Sequence, residues 1–273
     1  MNLTSVSQVR EWCMANGFHP NKVMGQNFLI DRNVLTAIVD AGLDGVDGGN
    51  ILEIGPGLGV MTEELLRRGR GVTAIEKDPV LAGRLAESLG GPAGLSVVAG
   101  DALDVIRDIL PSQSFAAMIS NLPYQAGTRI LLDVLQTRAI PSVTVLVQSE
   151  VADRLAAGPG SKTRGLAGVW AQLDYDVKVV RKVSAQCFWP RPEIGSSVVK
   201  LVRHDRNVAL SADERAVFRR LTKKAFEHRR KQLGSIFRDL IDSTARAEEL
   251  TNEEWVNLAK EMSDSRVFDI IRL

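Results

Sequence analysis

The residues Asn121-Leu122-Pro123-Tyr124, which follow the apolar run Phe115 to Ile119, combine three chemical functions in four positions. An amide side chain beside a backbone carbonyl made rigid by proline gives two fixed hydrogen-bond acceptors, and the tyrosine gives a flat stacking surface. That set matches the edge and face of an adenine. The exocyclic amine of adenine carries two N–H donors but is a poor nucleophile, because its lone pair is delocalised into the ring. Two acceptors drawing on those protons favour a pyramidal nitrogen with its lone pair freed, which stabilises charge developing in a transition state. The same residues are also compatible with a plain proline turn after a buried strand.

Upstream lie the elements that would position such a site. Ile51-Leu52-Glu53-Ile54 reads as a short buried strand, followed by Gly55-Pro56-Gly57-Leu58-Gly59 and the helical pattern Val60, Leu65, Leu66. A second strand, Val72 to Ile75, ends in Glu76, about 20 residues past the glycine loop, where a carboxylate can accept both hydroxyls of a ribose. A third, Leu95 to Val98, ends at Gly100-Asp101. Three successive strand ends thus carry Gly, Glu and Asp, and the fourth carries Asn121. Ligands of open α/β sheets bind at those carboxyl ends. The loop spacing is G-x-G-x-G, with Val60 where a dinucleotide fingerprint wants a third small residue and Glu53 just before the loop; this favours S-adenosylmethionine over a dinucleotide. The alternatives are a solvated Glu76 in the run Glu76-Lys77-Asp78 and an Asp101 that only caps the helix from Ala102 to Leu110.

With these motifs in place, the chain resembles the small-subunit ribosomal RNA adenine dimethyltransferases over nearly its whole length. Lys22 to Leu29, ending Gly25-Gln26-Asn27-Phe28-Leu29, is similar to the family's N-terminal cofactor motif. Glu53 to Gly59, Glu76, Gly100-Asp101 and Asn121 to Tyr124 follow in order. Val147 to Arg154, Pro159-Gly160-Ser161-Lys162, Phe188-Trp189-Pro190-Arg191-Pro192 and Ser196 to Val199 resemble later blocks. Phe226 to Leu233 and Arg246 to Leu250 resemble the C-terminal domain. The chain departs from the family's usual residues at Arg164 (tyrosine), Gly168 (serine), Arg191 (proline) and Gly195 (aspartate), positions expected beside the RNA face. The large-subunit RNA methyltransferases that confer antibiotic resistance share the cofactor motifs, but the C-terminal matches argue against them.

The resemblance implies an α/β, Rossmann-like class I S-adenosylmethionine-dependent methyltransferase sheet with a small C-terminal helical domain, divided as 1–203 and 207–273. It implies methyl transfer to the N6 amines of two adjacent adenines near the 3′ end of small-subunit ribosomal RNA, with a role in subunit biogenesis. Asn121, Leu122, Pro123, Tyr124 and Phe188 are then the catalytic set, Phe188 closing the second face of the flipped base or, alternatively, serving as a core residue. Gln26, Asn27, Leu29, Gly55, Gly57, Glu76, Asp101 and Asn121 bind the cofactor, and Arg229, Arg230 and Lys231 bind RNA. The expected partner is ribosomal RNA in an immature small subunit, with no metal and no membrane, for a cytoplasmic monomer. The rivals are a nicotinamide-dependent oxidoreductase, disfavoured by Val60 and by the lack of a hydride-transfer His or Lys at the strand ends, and an assembly factor whose methylation is incidental.

Composition agrees. The chain of 273 residues has room for one α/β domain and a small second one. Cys13 and Cys187 are too few for a disulfide framework, and no Cys/His cluster has metal-ligand spacing. The start, Met1 to Ser5, lacks a basic and apolar leader pattern, and the longest apolar runs are strand-sized. From Lys178 to Arg238 there are 16 Lys or Arg against 5 Asp or Glu, an excess of 11, so a chain of net charge +1 carries −10 elsewhere. Such segregation suggests an RNA-facing side, or else a solvated helix face with a local surplus.

Helices are expected over Val9 to Gly17 and Asp31 to Asp40, the second capped by Asp31. Further strands are expected at Val177 to Val183 and Val198 to Val202, antiparallel at the sheet edge, with His204 to Asn207 as linker. Beyond Ala212 the pattern is helical, and Phe218, Phe226 and Trp255 keep core spacing.

Overall fold

A computed structural model describes residues 2–21 and 24–264. The start of the N-terminal motif at Lys22 and the last stretch of the C-terminal domain, 265–273, lie outside the described residues. In chain order the elements are α1 (Val6–Ala15), β1 (Phe28–Leu29), α2 (Arg32–Leu43), β2 (Asn50–Ile54), α3 (Val60–Arg67), β3 (Gly71–Glu76), α4 (Pro79–Ser88), β4 (Leu95–Ala99), α5 (Ala102–Ser112), β5 (Ala117–Asn121), α6 (Gly127–Thr137) and β6 (Ser142–Gln148). There follow α7 (Ser149–Ala156), α8 (Leu166–Ala171), β7 (Tyr175–Val183), β8 (Phe188–Trp189), β9 (Ser196–Arg203), α9 (Ala212–Glu227), α10 (Leu233–Phe237) and α11 (Asn252–Asp264).

Seven strands form one sheet in the order β4-β3-β2-β5-β6-β9-β7. From β4 to β6 the pairing is parallel, and β9 runs antiparallel to β6. Strand order reverses between β2 and β5, the place where doubly wound sheets open a crevice at their carboxyl ends. The central strands are buried on both faces, which is why they read as near-continuous apolar runs and not as alternating ones. Local chemistry fixes the helix starts. Asp31 caps α2 by accepting from the Val34 N–H at 2.9 Å, and Asp78 caps α4, which begins with Pro79. At α9, Ser211 and Glu214 form a reciprocal capping box. The short antiparallel pair β1 and β8, which joins Phe28 to Trp189 and Leu29 to Phe188, is too brief to show a periodic pattern in the sequence.

The chain divides into two compact units, 1–152 with 178–203 and 153–177 with 204–273. The first is built on the sheet. The second has its own apolar core, including Val169, Leu173, Phe218, Leu221 and Trp255, with Phe226 packed against it. Residues 153–177, assigned from sequence to the first domain, therefore belong with the C-terminal helices. The reason lies in their partners: Trp170 donates its indole N–H to Thr222 at 2.9 Å, and Arg215 pairs with Asp174 at 2.7 Å.

Candidate active site

The carboxyl ends of β2, β3, β4 and β5 open on a cavity of about 370 Å³ within the first unit, inside the range of small-molecule and cofactor sites. The glycine loop forms one wall. Gly55, Gly57 and Gly59 all have positive φ, and a Cβ on Gly57 would stand 3.1 Å from the Phe28 ring. A side chain there would be strained and would fill the space that the loop leaves for a ligand.

Glu76 ends β3 at the cavity wall and is buried, so it is not a solvated surface residue. One carboxylate oxygen accepts the Gly57 N–H at 3.0 Å and the other the Asp78 N–H at 2.8 Å. Burial pushes this carboxyl above its ordinary value, and the backbone donors oppose that shift. Each oxygen retains lone-pair capacity for a further hydroxyl donor.

Asp101 plays the capping part and also reaches the cavity. It accepts from the Leu103 N–H at 3.0 Å at the start of α5, and its other oxygen is 2.7 Å from the Lys77 ammonium. Lys77, with help from that cap, holds the carboxylate below its usual range.

Asn121 closes β5. Its side-chain N–H donates to the Asn27 carbonyl at 3.3 Å, which orients the amide oxygen as the remaining acceptor. The Pro123 carbonyl is taken by the Gly127 N–H at 2.7 Å, whereas the Leu122 carbonyl accepts no hydrogen bond among the described residues. Tyr124 is half-buried, and its hydroxyl lies 2.7 Å from Ser196 Oγ. Desolvation raises its phenol above the ordinary value. All four residues line the cavity.

Gln26, Asn27 and Leu29 line it too. The Gln26 amide donates to Asp78 at 2.9 Å and accepts from the Asn21 N–H at 2.7 Å, so this side chain pins the N-terminal loop to the cap of α4. Glu53 was read only as the acid before the loop, yet it lines the cavity while 1% exposed. Thr62 donates to it at 2.6 Å, and burial pushes its carboxyl up to about 8. Its position on the buried strand just before the glycines was the available signal. The contacts of Ser196 with Tyr124 and of Asp78 with Gln26 carried none, because the partners are far away in sequence.

Phe188 is 2% exposed, paired with Leu29 across β1 and β8, and packed in the sheet core; it is not among the residues lining the cavity. Of the departures, Arg164 is 1% exposed and Gly168 is buried. A Cβ on Gly168 would fall 2.3 Å from the Arg154 carbonyl oxygen, and that close backbone approach accounts for glycine here. Arg229, Arg230 and Lys231 are in the second unit, in the turn after α9. Arg230 and Lys231 are exposed; Arg229 is half-buried and pairs with Glu248.

Acceptors for a ribose at Glu76, a cavity walled by side-chain-free glycines and an acceptor pair at Asn121-Leu122 together fit S-adenosylmethionine beside a base. Solved structures share the architecture. A dimethyladenosine transferase from Plasmodium falciparum superposes with a TM-score of 0.73 over 86% of this chain and 96% of its own, at 21% identity. The 23S rRNA methyltransferase ErmE does so with 0.64 over 87% and 100%, at 25% identity. The fold and site define a class I S-adenosylmethionine-dependent methyltransferase. Residues 17–273 match the family model described as ribosomal RNA adenine dimethylase. Ribosomal RNA small subunit methyltransferase A of Deinococcus radiodurans is 47% identical over 73% of this chain and 67% of its own length. The protein of that description from Alkaliphilus oremlandii is 34% identical over 96% and 98%. The chain belongs to the ribosomal RNA adenine dimethylase family and is an S-adenosylmethionine-dependent ribosomal RNA adenine dimethyltransferase.

Proposed function

We propose that the enzyme dimethylates the N6 amines of two adjacent adenines near the 3′ end of small-subunit ribosomal RNA, acting as a cytoplasmic monomer on an immature subunit. The observation that carries this is the acceptor pair at the end of β5, the Asn121 amide oxygen oriented by Asn27 and the Leu122 carbonyl left unpaired. Support for the small subunit comes from the relatives' descriptions, and support for the adjacent 3′ adenines from the motif resemblance.

S-adenosylmethionine, when bound, supplies a methyl group on a positively charged sulfur. Glu76 and Asp101 would hold its nucleoside end, and the Gly55–Gly59 loop would let it approach the backbone. Asn121 and Leu122 accept from the adenine amine, most strongly when it pyramidalises, and Tyr124, anchored through Ser196, stacks on the base. The raised phenol stays protonated, so Tyr124 is a surface and not a base. The alkylated amine is acidic enough to lose its proton to water. Alignment and fixed acceptors are the protein's contribution.

Incubating immature small subunits with labelled cofactor and mapping their RNA by mass spectrometry tests this. Two dimethyladenosines near the 3′ end are expected. With large-subunit RNA incubated in parallel, label found only there would overturn the assignment in favour of a target like that of ErmE.

A further inference from the structure

In the second unit, the loop 158–163 and the turn after α9 are fastened together from beneath. The Arg229 guanidinium donates to the Lys162 carbonyl at 2.5 Å and lies 3.5 Å from the Glu248 carboxylate. That Glu248 oxygen is buried and accepts no hydrogen bond among the described residues, so the ion pair is its compensation. The Glu248 carbonyl in turn accepts the Gly160 N–H at 2.8 Å. The end of the loop is anchored by Arg164, whose buried guanidinium donates to the Ala157 carbonyl at 3.2 Å and to Asn252 at 2.8 Å. On the outside of this assembly Lys162, Arg230 and Lys231 are all exposed, and none of them has an ion-pair partner among the described residues.

A guanidinium already engaged by a carbonyl and a half-buried carboxylate is poorly placed to neutralise a phosphate, since leaving would strand the buried charge. Three solvated cations on backbone segments fixed to one another are well placed to do so. Resting on the ribosomal RNA reading above, we infer that Lys162, from a segment 67 residues away, completes a phosphate-binding site with Arg230 and Lys231, and that Arg229 is the positioning residue that holds it together.

The test is a double-mutant cycle on the full-length enzyme, with purified immature small subunits as the probe and affinity measured between about 50 and 200 mM salt, where one phosphate contact is worth roughly threefold. Lys162→Ala should weaken binding about threefold and flatten the salt slope by roughly 0.7 to 0.9, with an unchanged melting temperature. Arg229→Met should cost at most about as much, and add little once Lys162 is already alanine, because it acts through that side chain. Additive losses, with each variant removing its own increment of slope, would show that Arg229 meets phosphate itself and would overturn the positioning role. An unchanged slope in Lys162→Ala would overturn the site, and this exposed substitution remains informative if Arg229→Met does not fold. Failure of the wild type to bind or methylate the subunits would instead count against the proposed substrate.

Discussion

The cavity of the first unit and the basic turn of the second handle charge in opposite ways. Around the cavity the working groups are backbone atoms and short side chains at strand ends, half-buried or buried and held by the sheet, and two carboxyls, Glu53 and Glu76, are held above their ordinary values by desolvation. At the basic turn the cations are exposed to water and only their scaffold is buried. Activating a weakly nucleophilic amine requires acceptors that are already oriented in a water-poor site. Holding RNA requires charge near phosphates, which tolerates solvent and side-chain motion. The contrast predicts large, local and salt-insensitive effects in the cavity, and smaller, distributed, salt-dependent ones at the turn.

The strongest break should come from Asn121→Ala. Losing one oriented acceptor should slow methyl transfer by about a hundredfold or more, the scale for deleting a transition-state hydrogen-bond partner. Affinity for the subunit should be retained; single-turnover rates alongside binding isotherms check both. Normal transfer by this variant would remove the amine mechanism altogether.

Next in size, Glu76→Ala should weaken S-adenosylmethionine binding by about 1.5 to 3 kcal/mol, read by calorimetry. It should also lower the melting temperature, because the Gly57 and Asp78 N–H groups lose their acceptor. Unchanged cofactor affinity would exclude Glu76 from the ribose contact.

Reversing Arg230 and Lys231 to Glu should weaken subunit binding by at least tenfold, the order for two lost phosphate contacts, and flatten its salt slope. Cofactor affinity should not move. If it does, the two regions are not as separable as their chemistry indicates.

A separate effect concerns pH and stability, not binding or rate. Folding lifts the Glu53 carboxyl from an ordinary 4.5 to about 8, so between those values the folded protein keeps a proton that the unfolded chain releases. Stability is therefore lost as pH rises through that window. Glu64, held down to about 2 beside Arg67, Arg68 and Arg32, works in the opposite sense: its contribution is present above 4.5 and is lost as pH falls toward 2. Thermal melts of Glu53→Gln across pH 5 to 9 should show a flatter alkaline decline than the wild type. A parallel decline in both proteins would mean that Glu53 is ionised in the fold.

The amino-acid sequence alone determined the strand-end series, Gly55 and Gly57 after β2, Glu76 after β3, Asp101 after β4 and Asn121 after β5, because apolar runs ended by polar and glycine residues are local signals tied to the geometry of a parallel sheet. The helix caps at Asp31 and Asp101 were legible for the same reason. Only the tertiary structure decided that Phe188 turns into the core against Leu29, that 153–177 joins the C-terminal helices, that Gln26 reaches Asp78 and that Arg229 is spent on Lys162 and Glu248. Each of these depends on which distant surfaces meet. Residue type limits what a side chain can bond to, but the choice among many equally suitable partners is made by the packing of the whole chain, which brings one of them within reach.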